Sequence, residues 1–110
     1  MACTATEIFV LAEQLYDSGR APEVALRSAV SRAYYAAFLR AREAAGISDN
    51  SEHSHRLVRE HYLSADFAVG NRLASLRRKR NEADYEITKS FDSKTAGGLL
   101  RQAKAVLDNV

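Results

Sequence analysis

From Pro22 to Ala45 the chain carries no glycine and no second proline, and its apolar residues recur on two sides of a helix rather than one. Leu26, Val30, Ala33, Ala37, Phe38 and Ala41 form a stripe at helical spacing, while Val24, Tyr35 and Leu39 lie on another side. A helix that is apolar on two sides must touch neighbours on both. It is either the central helix of a bundle or the helix of a dimer interface. The rest of the chain has to supply the elements that cover it.

Those elements also read as helices. Thr4-x-x-Glu7 is a capping-box pattern, followed by Ile8, Leu11, Ala12 and Leu15 on one face. In "DSGRAP", Gly19 fits the end of that helix and Pro22 the first turn of the long one. A third helix is expected from Ser54 to Leu63, with Leu57, Val58, His61 and Tyr62 as its less polar set. Asp66 then fits the cap of a fourth helix over Phe67 to Ile87. A fifth, Ser93 to Leu107, turns Leu99, Leu100, Ala103, Val106 and Leu107 inward. Its Gly97 and Gly98 weaken the first turn but allow close helix approach. No segment reads as a strand. The expected fold is all-α: an antiparallel up-and-down bundle of four to five helices, one domain over residues 1–110.

Composition narrows the function classes only a little. Apolar residues make up 46% of the 110, enough for a core without metals or disulfides. The formal charge of +2 is too small to identify a nucleic-acid binder, so only local clustering can do that. The single Cys3 cannot form an internal disulfide, which suits a reducing cytoplasm. No apolar run approaches the ~20 residues of a membrane span, and no signal peptide is visible.

The densest chemistry lies in "SLRRKRNEADYE", Ser75 to Glu86. On a helix, Val69, Leu73, Leu76, Ala83 and Ile87 share one side, and Arg80 falls inside that stripe. Arg78 and Lys79 point elsewhere and read as a solvated face. Asp84 follows Arg80 by four residues and is its neighbour on the helix surface, with Arg77 beside it. A charge on an apolar stripe must be paired or must open onto a cleft. Arg80 is therefore either half of a structural ion pair with Asp84 or another acid, or a guanidinium presented for bidentate phosphate recognition.

Three segments together resemble a known family. "SAVSRAYYAAFLRAREA" from Ser28 to Ala44, "SEHSHRLVREHYL", and "RNEADYE" are similar to the HEPN superfamily (higher eukaryote and prokaryote nucleotide-binding domain), in its small bacterial and archaeal branch. The pairing of Ser31-Arg32-x-Tyr34-Tyr35 with Arg80-x-x-Ala83-Asp84-Tyr85 carries the resemblance, over roughly Ala21 to Leu107. It implies a helical bundle that dimerises and handles RNA or a nucleotide. It also implies a small nucleotidyltransferase partner in a toxin–antitoxin-like system. Many members are metal-independent ribonucleases, and others are non-catalytic binding partners.

The ribonuclease members carry Arg, four to six residues, then His. Histidine can move a proton near neutral pH, and arginine steadies charge on the phosphate. Here Arg80 and Asn81 match the front of the motif, but Tyr85 stands at the His position. A tyrosine with a pKa of about 10 is a poor base at pH 7, though it can donate to a phosphate or stack on a base. "RLVREH" fits the literal pattern with Arg56 and His61 but lies on the wrong helix. His53, His55 and His61 lack the spacing and the Cys or carboxylate partners of a zinc site. No nucleophile elbow or phosphate loop is present, and no cofactor is expected. Tyr34 reads as core packing. Tyr35, with Arg32 and Arg42 nearby, is a candidate for a cleft or RNA surface.

Three functions follow as expectations. The first is a homodimeric HEPN-type module that binds RNA or a nucleotide through Arg80, Asn81, Asp84, Tyr85, Arg32 and Tyr35, its catalytic motif degenerate. The second is a metal-independent endoribonuclease toxin using Arg80 with Tyr85 or a histidine from elsewhere. The third is a protein–protein interaction domain in which Arg80 and Asp84 merely pair.

Overall fold

A computed structural model describes residues 3–110. Five helices carry the fold: α1 (Ala5–Tyr16), α2 (Glu23–Ala44), α3 (Ser54–Ala65), α4 (Phe67–Tyr85) and α5 (Ser93–Asn109). The all-α bundle expected from periodicity is what forms.

Helix α2 is the central element, packed against α1, α3, α4 and α5. Its alanines make this possible. Ala29, Ala33, Ala36, Ala37 and Ala41 are fully buried, and their small side chains let several neighbours approach one helix. Side-chain bonds fix the directions. Arg40 near the end of α2 reaches Thr6 at the start of α1 and the Leu107 carbonyl at the end of α5. Arg27 near the start of α2 reaches the end of α4. Helices α1 and α4 thus run opposite to α2, and α5 runs with it. The buried side chains join in one cluster, and the radius of gyration of 13.3 Å matches the ~13 Å of a compact chain this long.

Local signals set the boundaries. Thr4 and Glu7 complete the capping box, with both backbone-to-side-chain bonds at 3.1 Å. Asp66 caps α4 by accepting from the Val69 N–H, and Asp92 caps α5 by accepting from Thr95. The end of α2 requires a left-handed residue, supplied by Gly46 at φ 70°. Ile47 N–H then bonds the Arg42 carbonyl and Gly46 N–H that of Glu43, a Schellman termination. In the following loop, Ser51 donates from its N–H and its hydroxyl to Asp49, at 2.7 and 2.6 Å.

Four sequence expectations change. Helix α1 is capped by Asp17 at φ 47°, with Ser18 also left-handed, rather than by Gly19. Its buried line runs through Phe9 and Ala12, leaving Leu11 43% exposed. Helix α4 stops at Tyr85, so Ile87 lies past its end and is exposed instead of inward. The stop has a cause. Arg27, itself buried, donates to the carbonyls of Glu82, Ala83, Glu86 and Lys89, adding to the backbone bonds that Glu82 and Glu86 already accept and holding the chain where it leaves the helix. His61 is exposed, edge-on to Tyr62, so the inward face of α3 is carried by Val58 and Tyr62.

Candidate functional site

Residues 34, 35, 38 and 42 recur at helical spacing along α2, and 77, 80 and 84 along α4. Where these two lines converge, the first turn of α3 inserts His55. The imidazole stacks on Phe38 with ring centroids 4.0 Å apart and planes at 18°. Its Nδ1 lies 2.6 Å from the Tyr34 hydroxyl. The Arg80 guanidinium sits over the Tyr34 ring, 5.2 Å from its centroid, and Arg42 over Phe38 at 5.6 Å.

This packing decides the protonation states. Burial, reinforced by the positive charges of Arg77 and Arg80, pushes the His55 pKa down to about 4. Burial also pushes the Tyr34 phenol up to about 12, against the pull of the same two arginines. At neutral pH both groups are uncharged. The Tyr34 hydroxyl and Nδ1 share one hydrogen bond, and the ring tautomer sets which of them donates.

The arginines are only partly satisfied. Arg80 Nη1 lies 3.6 Å from the Asp84 carboxylate, whose Oδ2 also accepts from the Ser31 hydroxyl at 3.2 Å. Nε of Arg80 and Nε of Arg77 are buried and have no hydrogen-bond partner among the described residues. A buried donor left unpaired costs about 1–3 kcal/mol. Two such donors beside one histidine mark a place where stability has not been optimised.

Two cavities open here. One, about 340 Å³, is lined by Ser31, Arg32, Tyr34, Tyr35, His55 and Arg80. The other, about 350 Å³, is lined by Tyr35, Phe38, Arg42, Arg77, Arg80 and His55, together with Asn50, Ser51, Glu52 and Ser54. A groove along Leu11, Leu15, Ser28, Ser31, Arg32 and Asp84 continues from the first.

Arg80, Arg32 and Tyr35 therefore meet at one place, with Asp84 at its edge. Asn81 is exposed on α4 and lines none of these cavities. Tyr85 is 75% exposed at the helix end and lies outside them as well. Arg78 is exposed, and Lys79 pairs with Glu82 at 3.2 Å, as a solvated face does. Arg56 forms a surface pair with Glu60 at 3.5 Å, away from this cluster. Sequence reasoning missed His55 and Arg77 as site residues. A signal existed: His55, Val58 and Tyr62 share i, i+3, i+7 spacing, and Arg77 adjoins the stripe that holds Arg80.

The chain matches no family model, and neither a curated protein nor a solved structure is significantly similar to it. The HEPN resemblance rests on the quoted sequence segments alone.

Proposed function

We propose that the protein binds RNA or a nucleotide, with the phosphate held by Arg77, Arg80 and His55. The observation that carries this reading is the pair of buried guanidinium Nε donors without partners, beside a neutral imidazole and open cavities. Guanidinium groups are matched in shape to phosphate, and an anion there would offset their mutual repulsion. Tyr35, 43% exposed, offers a face for a base. Leu11 and Tyr35 both flank Arg32, which supports a second copy of the chain completing the cleft. The HEPN-like dimer and a nucleotidyltransferase partner belong to the same proposal.

His55 favours a second reading, a metal-independent ribonuclease. It is a neutral imidazole close to Arg80, and a neutral imidazole can take a proton from a ribose 2′-hydroxyl. Binding without cleavage is the better-supported reading. With a pKa near 4 the ring is a weak base, Nδ1 is engaged by Tyr34, and Tyr85 lies outside the cavities.

Labelled single-stranded RNA titrated in EDTA, with cleavage followed on the same samples, tests both. Arg80→Ala and Arg77→Ala are each expected to weaken binding about 10- to 100-fold, the weight of one charge-assisted contact. Unchanged binding in both variants would sink the proposal. Cleavage lost in His55→Gln but not in Tyr85→Phe would establish the ribonuclease instead.

A further inference from the structure

The two cavities differ in chemistry but share Tyr35, His55 and Arg80 as common lining. A single bound phosphate monoester would need one of them. The second has a lining that a phosphate does not want: Glu52 and Asn50 join Arg77 and Arg42 there. A carboxylate beside guanidinium groups repels phosphate but accepts from the amino group of a base, and an amide can pair with an adenine edge. These side chains are not on a loose loop. Asp49 accepts twice from Ser51, and Ser54 N–H bonds the Ser51 carbonyl at 2.9 Å, which ties the turn to the start of α3.

Resting on the phosphate-binding reading above, we infer that the site takes a dinucleotide step of single-stranded RNA. The bridging phosphate lies on Arg80, Arg77 and His55, with one nucleoside in each cavity. Tyr35, exposed and lining both cavities, is the stacking wall between the two nucleosides. Arg32 borders the first nucleoside, and the Asn50–Glu52 turn reads the second, preferring a base with an exocyclic amino group. Base stacking on an aromatic wall contributes about 1–3 kcal/mol per base, equivalent to about 5- to 150-fold in affinity.

The test compares AMP with the dinucleoside monophosphate ApA by calorimetry on the full chain. ApA carries less charge than AMP, so charge alone would make AMP the tighter ligand. Binding of ApA at least tenfold tighter than AMP is expected. That advantage should shrink below twofold in Tyr35→Ala and survive in Tyr35→Phe. ApA should bind several-fold tighter than UpU, which has no exocyclic amino group, and Glu52→Gln should remove most of that preference. If AMP binds as tightly as ApA and still depends on Arg80, the dinucleotide inference is overturned and the phosphate site stands. If neither ligand binds, and a ten-nucleotide RNA does not bind either, both are overturned.

Discussion

At the scale of single residues, His55 is the group whose behaviour is most specific to this arrangement. Its folded pKa of about 4 lies below the ordinary value of 6.5. Between those values the unfolded chain binds the proton and the folded chain does not. Stability therefore falls as pH drops from about 6.5 towards 4, because proton uptake by the imidazole pulls towards the unfolded state. Thermal unfolding of wild type and His55→Gln across this range reads the effect. The variant starts lower at pH 7, having lost the Phe38 stack and the Tyr34 bond, but its decline through the window should be shallower. Parallel declines would mean that His55 is not held neutral. None of this was visible from the residue itself. His55 lies in a run with two other histidines, and its meeting with Arg80 spans α2, α3 and α4.

Among the elements, α4 depends on a residue that is not part of it. Arg27 of α2 supplies donors to four carbonyls at and beyond the α4 terminus and stacks over Phe91, 5.5 Å from the ring centroid. Arg27→Ala removes these bonds, although Glu82 and Glu86 keep a backbone donor each, and chemical denaturation is expected to show a loss of about 3 kcal/mol. Arg27→Lys, with fewer donors and no fork, should recover only part of it. Helices α3 and α4 meet at Gly70, where a Cβ would lie 2.5 Å from the Leu63 backbone nitrogen. Gly70→Ala should therefore destabilise by about 1–3 kcal/mol despite alanine's better helix propensity. A gain in stability would show that the two helices can slide apart. The helices themselves were legible in the sequence, because capping side chains and apolar spacing are local. Thr4 with Glu7, and Asp66, cap as the sequence indicates. The end of α4 was not, because Arg27 and Ala83 are far apart in the chain. The inward line of α1 was misread for a similar reason. Leu11 and Phe9 are both apolar, and only packing against α2 and α5 decides which is covered.

For the whole molecule, the small net charge of +2 conceals a local concentration of arginines around one histidine. If binding is local in this sense, its salt dependence should be shallow. A short single-stranded RNA held by two or three phosphate contacts should give a log–log slope of about −1.4 to −2.1 against salt concentration. A slope several times steeper would point to a diffuse basic surface instead. The architecture explains how a bundle with little excess charge builds such a site. Alanines on α2 bring α3 and α4 close to it, and the Schellman turn at Gly46 starts the loop that sets His55 against Phe38. The sequence showed Arg80 as an anomaly on an apolar stripe, and the structure sets it over the Tyr34 ring in a cavity shared with His55. It could not show that the histidine beside Arg80 would come from α3 rather than from the end of α4.

The most direct measurement is the NMR titration of the His55 ring in the free protein and with RNA bound. In the free protein the imidazole should titrate near pH 4. A phosphate on Arg77 and Arg80 offsets their charge, so the bound form should titrate at least one unit higher, with its ring resonances shifted at neutral pH. RNA binding that leaves both the resonances and the titration of His55 unchanged would contradict the account, because the phosphate would then lie elsewhere.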